Sequence, residues 1–65
     1  MDGFGQRLSA LMEKSQMSAY RLAKELDVHQ TTIANWREGR SEPNASHILG
    51  IAILFNVSCD YLLGR

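Results

Sequence analysis

The chain has 65 residues, with seven Lys and Arg balanced by seven Asp and Glu, so its formal net charge at pH 7 is zero. A chain of this size buries only about 60% of its unfolded surface, which bounds it to one compact domain over residues 1–65, of modest stability. The balance removes a basic excess, the simplest argument for nucleic-acid binding, so that any such function must rest on local charge; the single Cys59 excludes an internal disulfide, and the lack of a long apolar run or charged leader argues against a membrane span or signal peptide, so a cytoplasmic protein is expected.

Phe4, Leu8, Leu11 and Met12 recur at helical spacing and predict a first helix over about residues 3–14, with Asp2 as its N-cap. Ser15 and Gln16 break the pattern. Ser18 can cap a second helix over about 18–26, in which Ala19, Leu22, Ala23 and Leu26 form the apolar stripe. A third helix is expected over about 29–38, and Gly39 suits the left-handed conformation that commonly ends one. After the loop Ser41-Glu42-Pro43, Asn44 can cap a fourth helix over about 44–55, with Ile48, Ile51, Ala52 and Phe55 inward and Asn56 left-handed at its end. Gly50 should weaken that helix somewhat. Ser58 can cap a last helix over about 58–63, with Asp60 in its positive first turn and Tyr61, Leu62 and Leu63 as apolar mass. No alternating strand pattern, repeat or linker interrupts this order. The expected fold is all-α, a compact orthogonal bundle of five short helices.

The segment from Ala19 to Glu38 carries the most information. Only about two residues, Asp27 and Val28, separate the second and third helices, and so short a connection makes them cross steeply. Ala23 is small enough for a close crossing, and Leu22, Val28, Ile33 and Trp36 are spaced to fill the angle between the helices. At about 100° per residue, Ile33 and Trp36 fall within about 60° of each other, while Gln30, Thr31, Ala34, Asn35 and Glu38 fan out on the other side. One face anchors and the other is free. This is a helix-turn-helix pattern, in which a side-chain row is held bare so that it can enter the DNA major groove.

The order of short motifs resembles the Cro and repressor-type helix-turn-helix domains of phages and bacteria, shaped like the N-terminal domain of the lambda repressor. Phe4-Gly5-x-x-Leu8 opens the match, Leu22-Ala23 precedes the turn, and Thr32-Ile33-x-x-Trp36-x-x-Gly39 forms the recognition segment. Pro43, Ile51-Ala52 and the closing Val57-Ser58-x-Asp60-Tyr61-Leu62-Leu63-Gly64 complete it. The resemblance covers nearly the whole chain and implies sequence-specific binding of a double-stranded DNA operator, as a dimer, to repress or otherwise regulate transcription. Position by position, it assigns base reading to Gln30, Thr31 and Asn35, with Ala34 beside them. Gln and Asn can pair with adenine N6 and N7, Thr can bond a base edge or touch a thymine methyl, and Ala34 can pack on such a methyl. Phosphate contacts are expected from Arg40, Asn44, Arg37 and His29, and at the start of the second helix from Ser18, Tyr20 and Arg21. Lys24 reads as a solvated charge.

Several positions depart from the family pattern. Ala19 stands where relatives often have a phosphate-gripping Gln. Met12 and Arg37 stand where many have an Arg–Glu pair, which predicts apolar packing by Met12 and a freed Arg37. Asp27 replaces a favoured Gly, at some cost in the left-handed conformation. Glu38 and Glu42 oppose Arg37 and Arg40, so net attraction to DNA is slight and duplication in a dimer is the available remedy. The candidate dimer patch is Ile53, Leu62 and Leu63, in a homodimer that forms appreciably only on DNA.

No Ser-His-Asp or Cys-His arrangement and no glycine-rich phosphate loop is recognisable, and His29, His47 and Cys59 lack a metal-ligand spacing; no enzyme, metal or cofactor is expected. The competing reading is a protein-interaction module, an antitoxin-like or docking domain that uses the apolar C-terminal face.

Overall fold

The computed structural model describes residues 3–65. Among them run five helices, α1 (Phe4–Ser15), α2 (Ala19–Leu26), α3 (Gln30–Glu38), α4 (Ala45–Phe55) and α5 (Cys59–Leu63), and no strand. The fold is all-α, as the patterning predicts. Helices α2 to α5 begin one residue later than expected because Ser18, His29, Asn44 and Ser58 are the capping residues, with extended backbone, and not first-turn residues. The expected Asp2 cap lies outside the described residues; the N-cap position of α1 is Gly3, at φ 80°.

All five helices end in the same way. Gln16, Asp27, Gly39, Asn56 and Gly64 each adopt the left-handed conformation just past the last helical turn. The next residue then donates its N–H back into the helix: Met17 to Met12, Val28 to Ala23, Arg40 to Asn35, Val57 to Ala52 and Arg65 to Asp60, at 2.9–3.0 Å. These paired bonds satisfy carbonyls that a helix end leaves without partners and reverse the chain within two or three residues. Short turns between short helices are the result. Asp27 at φ 58° accepts the left-handed geometry that a Gly would adopt more easily, and its N–H donates to the Lys24 carbonyl at 3.3 Å.

Each helix contributes to one core. Phe4, Leu8 and Met12 of α1, Leu22 and Ala23 of α2, Ile33 and Trp36 of α3, Ile48, Ile51 and Ala52 of α4 and Leu62 of α5 are buried together. No polar side chain is buried among the described residues. Met12 packs as an apolar side chain, in keeping with the expectation. Leu62 does not face outward: it is fully buried, which removes it from the candidate dimer patch. The reason is the placement of α5 against α1, where the Leu62 carbonyl accepts a hydrogen bond from Arg7 Nε at 3.1 Å. Leu63 is half-buried against the same core. Among the described residues no helix is long and apolar enough to cross a membrane.

Two glycines are set by packing. A Cβ on Gly5 would overlap the carbonyl of Arg37 and stand 2.9 Å from the carbonyl oxygen of Trp36, so the first turn of α1 lies directly on the last turn of α3. A Cβ on Gly50 would meet Leu26 Cδ2 at 2.9 Å, so the residue expected only to weaken α4 also lets α2 approach it.

Gly5→Ala should therefore destabilise the domain by about 1–3 kcal/mol through overpacking, although Ala is the better helix former. Leu62→Ala should cost about 2–5 kcal/mol as a core cavity, already in the isolated monomer. Urea unfolding at low protein concentration measures both; a Leu62 effect confined to the associated state would return that residue to an interface.

Candidate nucleic-acid interface

Helix α3 has nine residues, too few to hold its shape alone, and is fixed by burial of its inner face. Ile33 is fully buried and Trp36 is 3% exposed, packed where α3 meets α1 and α2. The Trp36 ring also meets His47 of α4, with centroids 5.2 Å apart and the planes tilted by 48°. His47, which carries no metal-ligand spacing in the sequence, thus helps to seat the helix.

The opposite face carries Gln30 and Thr31, both exposed, and Ala34 and Asn35, both half-buried. The side chains of Gln30, Thr31 and Asn35 make no hydrogen bond to any described residue, so their donors and acceptors are unused. The row from position 30 to position 35 covers about 7 Å of helix axis, roughly two base-pair steps of duplex.

The flanking residues are all exposed, and several are already engaged. Ser18 Oγ accepts from the Arg21 N–H at 3.0 Å, and the Arg21 guanidinium lies 3.8 Å from Glu25. Asn44 Oδ1 accepts from the His47 N–H and from Ser46 Oγ, both at 2.9 Å, which leaves its amide nitrogen as the outward donor. Arg40 Nη2 lies 2.8 Å from Glu38 Oε1. After α1, α2 and α4 the residue following the left-handed one is apolar and packs on the core, as Met17, Val28 and Val57. After α3 it is Arg40, with its side chain 69% exposed.

Arg37 is not free as expected. Its Nε donates to Ser9 Oγ on α1 at 2.9 Å, and it lines one groove with Ser9, Ser18 and Ala19, so the guanidinium is carried toward the start of α2. Ser9 was not singled out in the sequence, since nothing local to it signals a partner 28 positions away. His29 occupies the N-cap of α3 without a side-chain hydrogen bond to the helix. Tyr20, 61% exposed, and His29 share a groove with Gln30. Two groups of the expected phosphate residues are thereby brought together, Ser18 with Arg37 and Tyr20 with His29. On α4, Ile53 is 71% exposed, and Leu49, one turn earlier and not anticipated, is 55% exposed.

A family model described as helix-turn-helix matches residues 8–62. The chain is 30% identical over 61 residues to the HTH-type transcriptional regulator ImmR of Bacillus subtilis (strain 168), covering 94% of this chain and 48% of ImmR. It is 34% identical over 59 residues to the HTH-type transcriptional regulator AnsR of the same organism, covering 91% of this chain and 51% of AnsR. It is 32% identical over 60 residues to the HTH-type transcriptional activator BcrR of Enterococcus faecalis, covering 92% of this chain and 29% of BcrR. The chain thus spans about half the length of ImmR and AnsR and less of BcrR. Among solved structures it is similar to a transcriptional regulator from Listeria innocua, with a TM-score of 0.91 and 27% identity over 95% of this chain and 58% of that one. It is also similar to the P22 c2 repressor protein in complex with synthetic operator 9T, with a TM-score of 0.85 and 29% identity over 91% of this chain and 89% of that one.

The uncapped start of α3 is testable by itself. His29→Ser supplies the missing N-cap oxygen and should raise stability by about 0.5–1 kcal/mol, read as an increase in Tm; an unchanged or lower Tm would mean that His29 already makes an equivalent contribution there.

Proposed function

The chain belongs to the helix-turn-helix family, and from that premise we propose that it binds double-stranded DNA sequence-specifically as a transcriptional regulator, a repressor of the phage and bacterial kind, with α3 in the major groove. The observation that carries this reading is the row Gln30, Thr31, Ala34 and Asn35. Its polar members are uncommitted and stand on a helix whose other face is locked into the core. Gln30 and Asn35 can each present a donor and an acceptor to an adenine edge, Thr31 can bond a base, and Ala34 can lie on a thymine methyl.

Phosphate contacts on this reading come from Arg40 and Asn44 at one end of the row, from Tyr20 and His29 beside Gln30, and from Ser18, Arg21 and Arg37 near the start of α2. The Arg40–Glu38 and Arg21–Glu25 pairs are exposed, so exchanging either for a phosphate costs little.

A neutral domain with few phosphate contacts binds weakly at physiological salt, and a two-fold pair of domains raises the affinity. We assign the pairing surface to α4, where Leu49 and Ile53 form an exposed apolar stripe, with Leu63 as a lesser contributor. Half-sites then lie about 34–36 Å apart on one face of the duplex.

Selection of bound sequences from a random duplex pool at near-physiological salt tests the reading. Enrichment of a two-fold motif with half-sites one turn apart is the expected result; no enrichment by folded protein would overturn it. On the selected site, Gln30→Ala or Asn35→Ala should cost about 1–3 kcal/mol and relax preference at particular bases, whereas Arg40→Ala should weaken all sequences alike and flatten the salt dependence. For a dimer that neutralises about six phosphates, log K should fall against log salt with a slope of about −5. Ile53→Lys should leave the fold intact and abolish cooperative occupation of the two half-sites, as scored by the number of domains per duplex in a titration; undiminished cooperativity would move the pairing surface elsewhere.

A further inference from the structure

The cations around α3 differ in how far they are already engaged. Arg21 pairs with Glu25, Arg40 pairs with Glu38, and Arg37 is hydrogen-bonded to Ser9. Lys24 is exposed and has no ion pair or hydrogen bond from its side chain to any described residue. It lies on α2 one turn after Tyr20, and both line the groove that also holds His29 and Gln30, floored by Ala23 and Val28. An uncommitted ammonium and a phenolic hydroxyl therefore share the edge of the groove at the base-reading end of α3.

We propose that Lys24 binds a DNA backbone phosphate at this groove, with Tyr20 as a neutral second donor, and so fixes the start of α3 against the strand next to the base that Gln30 reads. This rests on the DNA-binding reading above and extends it to a residue that the sequence presents only as a solvated charge. A backbone phosphate fits the site better than a base edge. Lysine supplies a compact point charge on a flexible stem and lacks the planar fork of arginine, and its stem can lie over the apolar floor while the head reaches the oxygen. The ordinary alternative is that Lys24, in the last turn of α2, only complements the helix dipole there.

Binding of the selected duplex by Lys24→Ala and Tyr20→Phe, measured from low to physiological salt beside Arg40→Ala, separates these roles. Expected for Lys24→Ala is a uniform loss over all sequences and a salt slope shallower by about 0.9 per protomer, with the base preference unchanged. Tyr20→Phe should weaken binding with the slope unaltered, and Lys24→Arg should keep the slope. If Lys24→Ala lowers Tm and leaves affinity and slope untouched while Arg40→Ala changes both, the phosphate contact is refuted and the DNA-binding reading stands. Altered base preference with an unchanged slope also refutes it, making Lys24 a base reader. If the unmodified protein enriches no duplex at all, the DNA-binding reading fails and the contact fails with it.

Discussion

Placement of the third helix depends on a backbone-to-backbone contact. The first turn of α1 presents Gly5 to the carbonyls of Trp36 and Arg37, at a separation that no side chain would allow. Those carbonyls belong to the last turn of α3, where the Trp36 carbonyl accepts the Gly39 N–H at 3.4 Å, so the turn that α1 rests on is itself closed by its cap. Phe4 and Leu8 of α1 and Ile33 and Trp36 of α3 close around this point in one core. Burial of a side chain of this kind is worth roughly 1.5–3 kcal/mol, far more than the intrinsic preference of a nine-residue segment for the helix. The outer face of α3 is rigid because the inner face has nowhere else to go.

The other end of α3 is positioned by its turn. Between Leu26 and Gln30 the chain has only Asp27, Val28 and His29 in which to change direction. It does so by placing Asp27 in the left-handed region, returning the Val28 N–H to Ala23 and packing Val28 on the core. The conformational cost at a non-glycine residue is offset by those bonds and that burial. Ala23, 3% exposed, leaves room for α3 to lie close. The same terminating device recurs at all five helices, and after α3, as after α5 with Arg65, a cation occupies the position that is apolar after α1, α2 and α4. A structural motif that holds the core after α1, α2 and α4 here delivers Arg40 to the surface.

Electrostatics follow from a neutral chain. Near α3, Arg21, Arg37 and Arg40 are engaged by local carboxylates or a hydroxyl, in exposed pairs that contribute little to stability and exchange readily, and Lys24 is uncommitted. At physiological ionic strength charges act over about 8 Å, so attraction between such a surface and DNA is short-ranged. Nearby Glu38 lowers attraction to any duplex, matched or not. On the proposed reading, discrimination then depends on the hydrogen bonds of the row more than on the phosphate backbone, and tight binding depends on two domains acting together.

The helices, their order and their ends were legible in the sequence because each is set by short-range chemistry. Ser18, Asn44 and Ser58 cap as their side chains allow, Gly39 and Asn56 turn left-handed, and apolar residues at helical spacing mark the buried stripes. The opposition of Gln30, Thr31 and Asn35 to Ile33 and Trp36 is likewise a property of helical periodicity. Contacts between distant segments are not periodic, and there the tertiary structure decided. It buried Leu62 by laying α5 on α1, tied Arg37 to Ser9 across 28 positions and set His47 on Trp36. It left Leu49 and Ile53 uncovered and gave Gly5 and Gly50 a packing role that no local signal carries. A sequence window records which face of a helix is apolar; which neighbour covers that face, and how closely, depends on the simultaneous packing of all five helices.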